Sequence, residues 1–365
     1  MFLKSIKLSN FRSFESLNLD FKKNINIIVG DNALGKTNIL ESIYVLGLTK
    51  TFRNAKDKDL IKNNREYFQI SGNIEKDNFI DNLKLNYNSN GKTMFINEEK
   101  EKKISNFITY LNVIVFSPDD LEIVKGSPEI RRKFLNLEIS QLFPEYCKLL
   151  NNYNSLLKMR NDFLKKMRAK EIIDKTYFSI LEQYLIENAI QIYKIRNKFL
   201  NKISIKANKL YFKTMEKNGF KLNYITTPHI ANFDDKYIKE ELTKAFSKNI
   251  QEEIKYGGTL YGPHKDDFNF MLDDNNLKLF GSQSQQKLAI LVVKLAELEL
   301  FKQQLNEYPI LLLDDIFSEL DDIRKNNVLS YLKLNIQTFI TTTDINNINE
   351  EIKENANIIN IKEIL

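Results

Sequence analysis

Hydrophobic and polar positions alternate through the first residues of the chain, and a period of two predicts β-strands. A turn over 10–14 separates the first strand from a second one, in which Leu17, Leu19 and Phe21 face the same way. The next segment, INIIV at 25–29, is apolar throughout, as in a strand buried on both faces. Apolar residues then follow helical spacing over about 37–46. The chain therefore opens with strands that lead into a strand–loop–helix unit.

The rest of the chain alternates between strand and helix patterns. Three short segments within 67–97, two of them joined by the turn Ser-Asn-Gly, predict an antiparallel sheet. Helical spacing over about 128–215 predicts three helices, and further helices are expected over about 283–304 and after 315. Strand patterns return in the following segments: 224–230, 258–263, 267–272, 308–315, 338–344 and 356–361. The layout is an α/β unit divided by a helical insertion of roughly one hundred residues.

Composition narrows the class of protein. The chain has 365 residues, 42% of them hydrophobic, and no apolar run approaches the length of about 18 residues that a membrane-spanning helix needs. The single cysteine, Cys147, excludes an internal disulfide, so we expect a cytoplasmic protein. The net charge of the chain is +6, and positive charge is concentrated in segment 151–220, which has fifteen Lys/Arg and six Asp/Glu. That segment is either a solvated helical face or a surface that faces nucleic-acid phosphates.

A phosphate-binding loop, G-x-x-x-x-G-K-T, joins the buried strand to the first helix. Its glycines permit backbone angles that turn successive N–H groups toward an anion, and the helix start adds its dipole. Lys36 is expected to reach the β- and γ-phosphates of ATP, and the Thr37 hydroxyl is expected to bind Mg²⁺. The expected nucleotide-binding residues are Gly30, Asp31, Asn32, Ala33, Leu34, Gly35, Lys36, Thr37 and the following Asn38.

An acidic pair follows the apolar segment at 309–313. A central strand delivers such carboxylates to its C-terminal edge, where ligands bind in open α/β sheets. Asp314 is expected to hold the Mg²⁺ shell, commonly through water. Asp315 is placed to orient or deprotonate the attacking water.

A serine-led, glutamine-rich turn at 281–286 begins the helix that precedes the acidic strand. Ser282 and the amides around it, with Gln283, would form a second anion-binding helix start. Its distance from the acidic strand resembles that of the signature loop of ABC-type ATPases, which caps the γ-phosphate of a partner subunit. Asp321, in SELDD, resembles their D-loop at the subunit junction. The alternative for Ser282 is an ordinary helix N-cap.

Seven segments spread in order over nearly the whole chain resemble the bacterial RecF family of recombination and repair proteins. They are KLSNFRSFESLNLDF, GDNALGKTNILESIYVLGLTKTFR, VIVFSPDDLEIVKGSPEIRRKFLNLEISQ, TLYGPHKDDF, FGSQSQQKLAILVVKLAELEL, PILLLDDIFSELD and QTFITTTD. The resemblance implies an α/β, ABC-type ATPase head, a P-loop NTPase with mixed and antiparallel β-sheets, related to SMC proteins and carrying an inserted α-helical arm. We expect the head over 1–125 and 225–365 and the arm over 126–224.

The resemblance also implies function and partners. Members form ATP-dependent homodimers, hydrolyse ATP slowly with stimulation by DNA, and bind double-stranded DNA near gaps. They act with RecR and RecO to load recombinase, in DNA replication, repair and the SOS response. Arg12 and Ser13 correspond to a nucleotide-contacting turn, and Thr343 and Asp344 to the switch region after the last core strand.

The chain departs from the family pattern at two positions. The family usually has glycine where this chain has Ala33 and Ser284. His264 and Lys265 belong to the family pattern, and we expect for them a hydrogen-bonded turn without a chemical role.

The basic residues expected to contact DNA phosphates are Lys50, Arg53, Lys56, Arg131, Arg132, Lys165, Lys166 and Arg168.

Two other functional classes stay open on the motifs alone. A transport ATPase would share the phosphate loop, but the N-terminal hairpin, the helical insertion and its basic charge argue against it. A nucleotide-dependent nuclease would need a further acidic cluster, and only a short segment follows Asp344.

Overall fold

The computed structural model describes residues 1–22, 24–53, 55–76, 79–316, 336–348 and 350–364, without the side chains of 347 and 351. The strands of these residues are β1 (Phe2–Phe11), β2 (Phe14–Asp20), β3 (Ile25–Val29), β4 (Phe68–Lys76), β5 (Phe79–Asn88), β6 (Gly91–Ile96), β7 (Glu99–Glu101), β8 (Val113–Phe116), β9 (Phe220–Ile225), β10 (Asp267–Leu272), β11 (Asn275–Asn276), β12 (Ile310–Asp314), β13 (Thr338–Thr342) and β14 (Ala356–Asn360). The helices are α1 (Lys36–Leu48), α2 (Ile104–Phe107), α3 (Leu121–Lys125), α4 (Pro128–Leu142), α5 (Pro144–Arg168), α6 (Lys175–Met215), α7 (Asp235–Tyr256), α8 (Leu277–Phe280), α9 (Gln283–Leu305) and α10 (Glu350–Glu354).

A six-stranded antiparallel sheet, in the order β2-β1-β4-β5-β6-β7, contains the N-terminal hairpin. Its alternating sequence buries one face, on which Ile6, Leu8, Ile70 and Leu85 are at most 1% exposed. The antiparallel sheet predicted between 67 and 97 is therefore confirmed, and the N-terminal hairpin joins it through β1 and β4.

A five-stranded parallel sheet, in the order β14-β3-β13-β12-β8, holds the apolar strands. β13 lies between β3 and β12 and is parallel to both. All five residues of β12 are buried, as expected for a central strand of a parallel sheet. Since parallel strands end at a common edge, the loop after β3 and the acids at the end of β12 meet there.

The chain forms two compact units. The first comprises Met1–Leu121, Leu210–Lys217 and Ile290–Leu365 and contains the two sheets above. The second comprises Glu122–Lys209 and Asn218–Ala289, and contains the three-stranded sheet β11-β10-β9 with several helices. These compact units divide the chain at positions other than the boundaries expected for a head and an arm. The head and arm boundaries stay a prediction.

Two local expectations were wrong, and one helix was not expected. The strand predicted over 224–230 ends at Ile225, and Pro228, which lacks an N–H, cannot continue a ladder. The segment 258–263 forms turns rather than a strand. Helix α7 was not predicted, although Asp234 caps it by accepting bonds from the N–H groups of Lys236 and Tyr237. The helix predicted after 315 lies outside the described residues.

Candidate functional site

The loop between β3 and α1 has the backbone that its glycines allow. Gly35 has φ 98°, and a Cβ there would lie 2.8 Å from the ring of Phe14. A Cβ on Gly30 would lie 2.4 Å from Cγ2 of Ile361. Gly35 is required by its left-handed backbone, whereas a side chain at Gly30 would require Ile361 to move.

Lys36 begins α1 and turns its side chain back into the loop. Its Nζ donates to the carbonyl oxygens of Gly30 (2.7 Å) and Asp31 (2.8 Å). The side chain is buried, and burial lowers the pKa of Lys36, while the charges of Asp315 and Asp31 oppose this shift. The loop thus holds a cation on its inner side, as phosphate binding requires.

Thr37 and Asp314 meet across the parallel sheet although they lie 277 positions apart in the chain. The Thr37 hydroxyl donates to Oδ1 of Asp314 at 2.9 Å, and the Thr341 hydroxyl donates to the same atom at 2.8 Å. Burial raises the pKa of Asp314, and these two hydrogen bonds act in the opposite direction. A hydroxyl beside a carboxylate is a donor set that suits Mg²⁺.

The pair fits a cation that takes most of its ligands from elsewhere. No group of three or more His, Cys, Asp or Glu side chains suited to a metal occurs within the described residues. Mg²⁺ usually keeps waters and substrate phosphate oxygens beside one or two protein ligands, so the small protein contribution is in keeping with it.

Asp315 directly follows β12 in a left-handed conformation, with φ 50°. Its N–H donates to the Thr341 hydroxyl at 3.0 Å, which ties the strand end to β13. A non-glycine residue with this backbone is strained, and such residues concentrate at functional sites. Both predicted acids therefore lie at the sheet edge where the phosphate loop begins.

The N-terminal turn contacts the phosphate loop and α1. The Asn38 side chain donates to Ser13 Oγ at 3.0 Å. Arg12 donates through Nε and Nη2 to the two oxygens of Glu41, at 2.8 and 2.7 Å, and through Nη1 to the Asp59 carbonyl. The structure thus brings Arg12, Ser13 and Asn38 to the predicted site and adds Glu41. The sequence signal that could have identified Glu41 is an acidic residue within the largely apolar helix ILESIYVLGL.

The turn before α9 belongs to the second compact unit. The N–H of Ser282 donates to Oε1 of Gln285 at 2.8 Å, and the N–H of Gln285 donates to Ser282 Oγ at 3.2 Å. These reciprocal bonds form a capping box. Ser282, Gln283 and Ser284 are all exposed, so a capping role and contact with a second molecule are compatible.

The predicted DNA-contacting residues of the first unit lie in the loop after α1. Lys50 and Lys56 are exposed. Arg53 is half-buried, with Nη1 at 3.4 Å from Oδ1 of Asn38 and 3.9 Å from Oε2 of Glu41. This basic loop therefore adjoins the residues of the candidate nucleotide site.

The predicted residues of the second unit divide into two groups. Arg131 is buried and forms a bidentate ion pair with Asp267, at 2.5 and 2.9 Å, so it stabilises the fold and is not available to a phosphate. Arg132 is half-buried and donates to the Asp266 carbonyl. The exposed residues are those near the end of α5: Lys165, Lys166 and Arg168.

His264 has the structural role expected for it. Its Nε2 donates to the Thr259 carbonyl (3.0 Å), so Nδ1 accepts from the Tyr153 hydroxyl (2.7 Å) in the neutral ring. Burial lowers the pKa of His264 to about 4. Of the other predicted positions, Thr343 is exposed, Asp344 accepts a bond from the Asn346 N–H, and Asp321 lies outside the described residues.

Comparison with known proteins places these features in a family. The family described as RecF/RecN/SMC N terminal domain matches residues 2–363. A Bacillus cytotoxicus protein, DNA replication and repair protein RecF, is 39% identical over 365 residues, covering 99% of this chain and 97% of its own.

Two solved structures match the fold at 33% sequence identity and 95% coverage of this chain. The first is described as the recombination mediator protein RecF-ATP in the RecFOR pathway, with a TM-score of 0.90 and 93% of its chain covered. The second, described as RecF-ATPrS in the same pathway, has a TM-score of 0.87 and 94% coverage. The predicted ABC-type ATPase head is therefore confirmed. Among the described residues, no helix combines the length and apolar character needed to cross a bilayer.

Proposed function

The chain belongs to the RecF family, and we propose that it is an ATP-dependent switch that binds DNA during replication and recombinational repair. The Bacillus cytotoxicus relative is named for DNA replication and repair, and the two solved structures are described as the recombination mediator protein RecF-ATP and RecF-ATPrS in the RecFOR pathway. One observation carries the proposal for this chain. The Thr37 hydroxyl contacts Asp314 beside a lysine that the phosphate loop holds inward, so the phosphate loop and the acidic strand end converge on one sheet edge.

In this proposal the residues of the loop, 30–37, bind the phosphates of ATP, and Lys36 neutralises part of their charge. Thr37 and Asp314 would hold Mg²⁺, which would stabilise charge on the phosphates when bound. Asp315, beside them, would orient the attacking water and accept its proton. Arg12, Ser13 and Asn38 would complete the nucleotide site from the N-terminal turn.

A second copy of the chain completes the proposed catalytic unit. Ser282 and Gln283 are exposed at the start of a 23-residue helix, where the backbone amides and the helix dipole favour an anion. In an ABC-type dimer this turn would cap the γ-phosphate held by the partner. Dimerisation and nucleotide binding then stabilise each other, because each ligand favours the same assembled state.

Duplex DNA is the proposed ligand of the paired state, with RecR and RecO as protein partners at gaps. The proposed phosphate contacts are the exposed cations of the loop after α1 and of the end of α5, together with the half-buried Arg53 and Arg132. Such contacts position DNA without reading its sequence. Arg131 is excluded by its burial and its ion pair with Asp267.

Retention of DNA by the purified protein tests this function. Duplex, gapped and single-stranded DNA would each be assayed with ATP, with ADP and without nucleotide, at several salt concentrations. We expect ATP to increase affinity for duplex or gapped DNA, and the log of affinity to fall by about 0.9 per log of salt for each neutralised phosphate.

The matched control is Lys36→Ala, which removes the loop cation and should abolish the gain from ATP. Equal retention under all three nucleotide conditions, or a flat salt response, would contradict the proposal.

A further inference from the structure

Glu41 is a fully buried carboxylate in the helix that begins at the phosphate loop. Its side chain has no solvent exposure, and residues 39 to 46 around it are also buried. An ionised carboxylate in such surroundings loses several kcal/mol of solvation unless partners replace the water. The partners of Glu41 therefore explain why an acid occupies this position.

Both carboxylate oxygens are hydrogen-bonded by side chains from other segments. Arg12 makes a two-pronged pair with them, at 2.8 and 2.7 Å, the strongest arrangement for a carboxylate. The Thr51 hydroxyl donates to Oε1 at 2.5 Å. Glu41 thus joins α1 to the turn after β1 and to the loop after α1.

These two segments carry different parts of the proposed function. The turn after β1 contains Arg12 and Ser13, and Ser13 contacts Asn38 at the phosphate loop. The loop after α1 contains the proposed DNA-contacting cations. Thr51 links Glu41 to that loop directly, because its hydroxyl also accepts a bond from the N–H of Arg53 at 3.0 Å.

From this arrangement, and resting on the proposed function, we infer that Glu41 is a positioning residue that couples the nucleotide site to the DNA-contacting loop. The same carboxylate fixes Arg12 for the nucleotide and, through Thr51, the backbone of Arg53 for DNA. A ligand that orders one segment then favours the arrangement that the other ligand needs. Such coupling is reciprocal, so ATP would raise DNA affinity and DNA would raise ATP affinity by the same factor.

The test compares Glu41→Gln with wild type and with Glu15→Gln as a matched control. Glu15 makes an exposed ion pair with Arg65 in the same unit, at 2.6 Å. For each protein, duplex affinity would be measured with ATP and with ADP, and ATP affinity with and without duplex. We expect both ratios to fall by about five-fold or more in Glu41→Gln, since coupling energies usually correspond to factors of five and above. Glu15→Gln should keep the wild-type ratios.

The outcomes separate this inference from the function on which it rests. If wild type shows ATP-dependent DNA affinity and Glu41→Gln keeps the same ratios, the inference is overturned and the proposed function stands. If wild type shows no such dependence, both are overturned. A merely structural role would lower the melting temperature and leave the ratios unchanged. Should Glu41→Gln not fold, Thr51→Val removes the hydroxyl that joins Glu41 Oε1 to the backbone of Arg53 and keeps the pair of Glu41 with Arg12. It should reduce the ratios, and unchanged ratios there would also overturn the inference.

Discussion

Three non-glycine residues near the candidate site, Ala33, Asp315 and Arg12, have left-handed backbones with φ of 67°, 50° and 53°. Each such residue costs about 1 to 3 kcal/mol, a cost that the surrounding structure must offset. Of the two positions where the RecF family usually has glycine, only Ala33 has a left-handed φ. Ser284 lies inside α9, so the absence of glycine there introduces no backbone strain.

This difference predicts opposite effects for two glycine substitutions. Ala33→Gly should raise the free energy of unfolding by about 0.5 to 1 kcal/mol, because it removes the Cβ from a left-handed position. Ser284→Gly should lower it by about 0.5 kcal/mol, because glycine is less favourable than serine in a helix. Urea denaturation of the two variants beside wild type measures both values. A stability change of the same sign in both variants would contradict this account.

At the scale of elements, the sequence predicted the parts of the site better than their arrangement. The strand expected over 25–29 is β3, and the helix expected over about 37–46 is α1, Lys36–Leu48. These elements follow from local patterns of apolar residues and glycines. The strand order β14-β3-β13-β12-β8 depends on pairing between distant segments, which no local pattern encodes.

Distant partners also explain the residues whose roles the sequence did not reveal. Arg131 was grouped with the DNA-contacting cations because its partner, Asp267, lies 136 positions away. Glu41 was not singled out because its partners Arg12 and Thr51 belong to other segments. Helix α7, by contrast, had a readable signal: Ile238, Leu242, Ala245 and Phe246 are buried at helical spacing after the cap Asp234.

The link between α5 and the turn at Thr259 predicts a pH effect. His264 has a folded pKa of about 4, below its ordinary value of 6.5, because burial disfavours the charged ring. Its contribution to stability is therefore complete above pH 6.5 and is lost as the pH falls through about 4. Between about pH 7 and about pH 4.5, wild type should lose on the order of 2 kcal/mol more than His264→Gln, which cannot titrate.

Denaturation of both proteins at the two pH values measures this difference. The matched control is His229→Gln, which changes the other, exposed histidine and should show the wild-type pH dependence. Equal losses in His264→Gln and wild type would show that the Tyr153–His264–Thr259 link does not depend on the neutral ring.

At the scale of the whole molecule, both compact units carry exposed basic residues, and the first also holds the candidate nucleotide site. The net charge of +6 is modest, but segment 151–220 and the loop after α1 concentrate it. The nucleotide site and the exposed Ser282 turn belong to different compact units. In the proposed dimer the Ser282 turn of each copy completes the nucleotide site of the other copy. We therefore propose that ATP joins two copies and that the joined form binds duplex DNA.

Sedimentation of the full chain with a non-hydrolysable ATP analogue, with and without duplex DNA, tests this claim most directly. We expect wild type to sediment as a dimer when saturated with the analogue and to bind duplex more tightly in that form, while Lys36→Ala stays monomeric. A wild-type protein that remains monomeric at saturation, with its affinity for duplex unchanged, would contradict the account.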